Sequence, residues 1–194
     1  GSTSGRVTGW TTTPRSNWSR SHARSESLRK HLLAVETCMR AFARQAGEDE
    51  ELWGVAGLVH DFDWEVCPTP EEHPTFGADI LRKRGFPDEI VRAMLSHGNH
   101  TGISRDSLME KALYACDELS GFVTAVALVR PTRSLSDTPV RSVKRKMKDR
   151  RFAASVSRED IVQGAEELGV DLDQHIQFVI DALKPIASRL GLEP

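Results

Sequence analysis

Cysteine is scarce in this chain: only Cys38, Cys67 and Cys116 occur among 194 residues, with no CxxC spacing. That excludes a disulfide framework and a cysteine-based zinc ribbon, and it suits a reducing, cytoplasmic setting. Long hydrophobic runs are also missing. The longest stretch, Phe122 to Val129 with Thr124 inside it, falls well short of the roughly 20 residues of a spanning helix, so no membrane partner is expected. Formal net charge is only -2, so no overall field favours nucleic acid or an anionic surface, and any anion binding is local. Aromatic residues make up 6% of the chain, with one tyrosine, Tyr114. No segment shows convincing strand alternation and no internal repeat is present.

What remains is helical periodicity. Residues 1–25 are rich in Ser, Thr, Gly and Arg, contain no acid and show no hydrophobic period. They read as a mobile tail or expression scar, with Trp10 and Trp18 as possible docking points and an organelle transit peptide as the lesser reading. Residues 26–194 read as a single domain. Leu28, Leu32, Val35, Met39 and Phe42 define a first amphipathic helix that Gly47 can stop. Leu52, Val55, Ala56 and Val59 define a second, which ends at His60-Asp61. Thr69-Pro70-Glu71-Glu72 has the form of a helix start and predicts a helix from there towards Arg84. Ile90, Val91, Met94 and Leu95 define a short helix ending at His97. Ser107 to Glu110 is a capping box that opens a long central helix over Leu108 to Arg130. Further helices are expected over about Arg158 to Leu168 and Leu172 to Leu190. The fold class is all-α, one irregular helical bundle.

The first five of these helices deliver the potential metal ligands His31, His60, Asp61, His73, His97 and Asp117. One histidine on a helix is usually satisfied by a carbonyl or by water, but six such residues at intervals of about one helix indicate a centre. Adjacent helical residues point about 100° apart, so His60 and Asp61 serve one site only where the helix ends or the ions lie between them. A carboxylate can bridge two cations roughly 3.5–4 Å apart and a histidine nitrogen cannot, which makes Asp61 the candidate bridge. His31, His60 and Asp117 would complete one position, His73 and His97 the other. Asp117, in mid-helix within apolar surroundings, would be costly to bury without a cation or a basic partner.

The order and spacing of His31, His60-Asp61, His73, His97 and Asp117 resemble the HD superfamily of metal-dependent phosphohydrolases, from about Ser27 to the end of the long helix. The chain looks most like small stand-alone HD proteins of the HDIG type, with Phe62-Asp63 in place of Ile-Gly, which makes Asp63 a possible extra ligand. The resemblance implies an HD-type bundle with a dinuclear site between helices, two divalent ions drawn from Mn, Fe, Ni, Co or Mg, and hydrolysis of a small phosphate ester such as a nucleotide. A hydroxide bridging the ions would attack phosphorus, since metal binding lowers the pKa of water from about 15.7 to about 7. The Gly-Tyr-Pro motif of cyclic-dinucleotide phosphodiesterases is absent, Tyr114 lying in Leu-Tyr-Ala. The alternatives are a diiron oxygenase of the inositol oxygenase branch and a metal-stabilised nucleotide-binding regulatory module.

The expected catalytic residues are Asp61 and His100, the latter three residues after His97 and preferred as a substrate contact over a ligand. Arg29, Lys30, Arg130, Arg133 and Lys144 are expected to face substrate phosphate, and Arg82 and Lys83 lie near ligand helices. The basic run Arg141 to Arg151 reads first as a solvated helix face, then as a contact for substrate phosphate. Nucleic acid ranks last, because stacking aromatics other than Phe152 are absent from the run.

Overall fold

A computed structural model describes residues 25–67 and 69–193. The expectations for the N-terminal tail and for Trp10 and Trp18 lie outside the described residues. Eight α-helices and no strand occur among the described residues: α1 Glu26–Ala46, α2 Glu50–Val59, α3 Thr75–Lys83, α4 Asp88–Ser96, α5 Leu108–Val129, α6 Val140–Met147, α7 Arg158–Leu168 and α8 Leu172–Leu183.

The helix ends follow from local chemistry. The Ser25 hydroxyl accepts from the Leu28 amide to start α1, and Gly47 at φ 70° stops it in the left-handed region that a side chain disfavours. Ser107 and Glu110 form the reciprocal capping box at the head of α5. α5 is the axis of the bundle: Leu113, Cys116, Leu119, Phe122 and Val123 are all fully buried. By length and composition this helix could cross a membrane, but 61% of its apolar window is buried within the protein, as suits a core helix.

Two close backbone approaches set how helices meet α1 and α5. A Cβ on Gly57 would lie 2.9 Å from the backbone of Glu36 and Val35, so α2 lies directly on α1. A Cβ on Gly164 would lie 2.8 Å from Ala115 Cα, so α7 crosses α5 at equally close range. α8 closes the far side, with Phe178 on Phe42 at 4.2 Å between ring centroids and His175 Nε2 donating to the Ala115 carbonyl at 2.8 Å. The Leu135 amide donates to Leu192 O at 3.1 Å, tying the segment after α5 to the C-terminal end.

Two predicted helices need correction. The one expected from Thr69 to Arg84 is a single 3-10 turn, Pro70–Glu72, a break at His73-Pro74, and then α3. A residue preceding proline is pushed out of the helical region, and His73 accordingly sits at φ -74°, ψ 134°. The last helix stops at Leu183 and continues as a 3-10 segment, Lys184–Leu190, because Pro185 has no amide hydrogen to extend the α-helical ladder.

Candidate metal centre

His31 projects from the first turns of α1, His60 caps the end of α2, Asp61 begins the turn after it, His73 sits in the break before α3, His97 caps α4, and Asp117 lies midway along α5. Their ligand atoms form two groups sharing one carboxylate: His31, His60, Asp61 and Asp117 in the first, and Asp61, His73 and His97 in the second. The two oxygens of Asp61 face opposite ways. Oδ2 lies 3.2 Å from His31 Nε2 and 3.4 Å from His60 Nε2, while Oδ1 lies 2.9 Å from His73 Nε2 and 3.2 Å from His97 Nε2. Asp117 Oδ1 is 2.9 Å from His31 Nε2 and 3.0 Å from His60 Nε2.

The hydrogen-bond partners fix which ring nitrogens are free. His60 Nδ1 donates to the Gly57 carbonyl at 2.6 Å, and His97 Nδ1 donates to the Met94 carbonyl. A carbonyl only accepts, so the proton is on Nδ1 in both rings, and in the neutral ring Nε2 is a bare lone pair. His73 Nδ1 donates to Asp63 Oδ1 at 2.6 Å with the same result. Lone pairs aimed at carboxylate oxygens across about 3 Å attract only with positive charge between them, as a second ring proton or a cation. Four imidazole nitrogens and two carboxylates are a donor set suited to divalent first-row metals, and the arrangement fits them.

Charge around the centre agrees. Burial alone would lower the His31 imidazole, but Asp117 and Asp61 outweigh it and hold the ring at about 9. Burial likewise opposes His73, and Asp61 with Asp63 raises it to about 9. Burial raises Asp61 and Asp117, yet the neighbouring imidazoles, His60 foremost, bring both carboxyls well below the ordinary carboxylate range. Glu118 differs: burial, then the charge of Asp117, pushes it up to about 7.

Asp63, weighed as an extra ligand, is not in either group. It is fully buried, with Oδ1 on His73 and Oδ2 accepting from the Gly77 amide at 2.9 Å, and so orients a ring without facing the centre. Gly77 makes room for it, since a Cβ there would lie 2.7 Å from the Asp63 carboxyl carbon.

The centre opens into a cleft of about 1250 Å³ that includes His31, Asp61, His73, His97 and Asp117 in its wall. Of the expected phosphate contacts, Lys30 and Arg133 line this cleft, whereas Arg29, Arg130 and Lys144 do not. Arg130 turns to Asp137 and Ser142, and Lys144 pairs with Asp173 at 2.7 Å. Arg82 pairs with Asp79. His100 also lines the cleft, and its Nε2 donates to the His73 carbonyl. Sequence reasoning passed over Trp64. It is 54% exposed, lines the cleft, and stands edge-on to His73 with ring centroids 5.1 Å apart. Its position directly after the ligand-bearing turn was the available signal.

The HD domain profile matches residues 28–121, and this part of the chain belongs to the HD domain family. Ribonuclease Y of Oleidesulfovibrio alaskensis is 31% identical over 98 residues, which cover 50% of this chain and 18% of that protein. Ribonuclease Y of Desulfotalea psychrophila is 33% identical over 97 residues, again 50% and 18%. The chain therefore spans less than a fifth of the length of these relatives. No solved structure matches it.

Proposed function

We propose that the protein is a metal-dependent phosphohydrolase that cleaves a phosphoester of a nucleotide or nucleotide chain, with two divalent ions held on either side of Asp61. The observation that carries this reading is the opposed use of the two Asp61 oxygens, each facing its own set of histidine Nε2 atoms. His31, His60, Asp61 and Asp117 would hold one ion, and Asp61, His73 and His97 the other. When bound, such a pair supplies Lewis acidity and a water acidic enough to ionise near neutral pH.

The chain's own residues do the rest. The Nδ1 hydrogen bonds of His60, His73 and His97 orient Nε2 before any ion arrives, so little ordering is left for binding. Arg133 adds positive charge in the cleft for substrate phosphate, whereas Lys30 is paired with Glu26 at 3.3 Å, and Trp64 offers a flat face for a base. His100 stands at the rim beside His73, where it can contact substrate or leaving group while its Nε2 hydrogen stays on the His73 carbonyl. Relatives named as ribonucleases favour phosphoester hydrolysis over oxygen activation with the same ligand set.

Asp61→Ala tests the reading. Elemental analysis of the purified variant is expected to show loss of ions from both positions, and turnover of bis(p-nitrophenyl) phosphate and of dinucleotides is expected to vanish with them. Full turnover in the variant, or an unchanged metal content, overturns it.

A further inference from the structure

The one concentrated cationic segment, Arg141 to Arg151, lies outside the stretch matched by the HD profile and is not part of the cleft wall. Arg141 and Arg145 on α6 and Lys148 at its C-cap, still in the helical region at φ -80°, ψ -18°, recur at four and three, so they share one helix face, and Arg150 and Arg151 follow in the next turn. All five are exposed, and none has an ion-pair partner among the described residues. Lys144 beside them is neutralised by Asp173, and Asp149 is the acid within the run.

The segment that continues from this strip is held in shape. Arg158 donates to the carbonyls of Asp149 at 3.0 Å, Ala153 at 2.7 Å and Val156 at 3.0 Å, and also to that of Phe152. The chain fixed in this way reaches the cleft at Ser155 and Val156, both in its wall. From Arg151 to Ser155 a fully extended chain would span at most about 14 Å, so the cationic strip ends within that distance of the wall of the cleft that holds the metal-ligand cluster.

We propose that the α6 face and the turn after it form a track for the phosphates of a single-stranded nucleic acid whose scissile linkage enters the cleft. The inference rests on the phosphohydrolase reading for the destination of the strand only. An anionic membrane is the poorer match. A surface-lying helix needs an exposed apolar face, whereas Val143 is fully buried and Val140 and Met147 pack against the core. The exposed side of α6 offers charge without apolar area to insert.

The test is fluorescence anisotropy with a labelled oligouridylate about a dozen nucleotides long, in the wild type and in an Arg145→Gln, Lys148→Gln double variant. Five phosphate contacts give a slope of log affinity on log salt of about -3.5, and the double variant should bring it to about -2. Affinity of the variant at low salt should fall at least about tenfold. Turnover of uridylyl-uridine, too short to reach the track, should not change. Binding of the oligouridylate without hydrolysis of any phosphoester would leave the track standing and overturn the phosphohydrolase reading. No oligouridylate binding, an unchanged slope in the variant, or a variant defect seen only with vesicles containing phosphatidylserine overturns the track.

Discussion

His73 gives its Nδ1 proton to a buried carboxylate, Asp63, at 2.6 Å, and turns its Nε2 to within 2.9 Å of Asp61. The ring is thereby fixed from behind on the side of the second group alone. No carboxylate plays that part for His60 or His97, which lean on backbone carbonyls. Asp63→Asn keeps an acceptor but removes the charge and should weaken ion binding at the second position about tenfold. Asp63→Ala should weaken it up to about a hundredfold. Calorimetric titration of metal-free protein checks this, with binding at the His31, His60 and Asp117 position expected to stay at the wild-type value in both variants.

Proton release should accompany metal uptake. In the metal-free protein His31 and His73 are each held at about 9, and His60, against its burial, is held well above its ordinary value by Asp61 and Asp117, so all three carry protons at neutral pH, and a ligating Nε2 must give its proton up. Loading at pH 7 should release about three protons per molecule, one from each of these rings, read with an indicator dye in weak buffer. The sign of the stability effect follows. These rings bind protons more tightly in the folded metal-free protein than at their ordinary 6.5, so their contribution is complete below 6.5 and, for His31 and His73, is lost as pH rises through about 9. Metal-free protein should therefore lose thermal stability between those pH values, and the metal-loaded protein should not.

Trp64 is placed to select planar substrates. The other tryptophan among the described residues, Trp53, is buried, whereas Trp64 stands in the cleft wall beside His73. Stacking on a base is worth about 1–3 kcal/mol, so Trp64→Ala should raise KM for nucleotide substrates roughly 5- to 150-fold with little change in kcat. Trp64→Phe should recover much of the loss. Ribose 5-phosphate, which has no base, should be turned over equally by all three proteins, and an equal loss on that substrate would show that Trp64 acts on the centre instead.

The parts legible in the sequence were those set by short-range rules. The periods of α1 and α5 and the Ser107 capping box depend on neighbours within a few positions, while the six ligand-type residues were legible as a set because each lies on or beside a helix that those local rules define, and the structure brings the six together. Thr69-Pro70-Glu71-Glu72 misled because Pro74, just downstream, interrupts the helix it announces. The role of Asp63 depends on a partner ten residues away across a turn of no regular type, so its chemistry suggested a ligand where its position makes it a support. The direction of Arg130 and Lys144 was illegible for a similar reason: each has an acid to pair with, Asp137 and Asp173, that helical spacing does not reveal.

Gly57 ties stability to the centre. Its missing side chain lets α2 rest on the backbone of Glu36 and Val35, and its carbonyl holds the His60 ring. Alanine there suits the helix better by about 1 kcal/mol in isolation, because glycine loses more backbone freedom on folding. The contact is with backbone atoms at 2.9 Å, which cannot swing aside as a flexible side chain would. The overpacking cost of about 1–3 kcal/mol should therefore outweigh the propensity gain, and Gly57→Ala should unfold at lower temperature. Separating α2 from α1 also moves His60 away from His31, now 3.3 Å apart between Nε2 atoms. Ion affinity at the first position should fall with the melting temperature. Binding at His73 and His97, carried by the break before α3 and by α4, should be affected less. A variant that melts at the wild-type temperature would show that α1 and α2 can part at no cost, and that their close contact does not set the geometry of the first position.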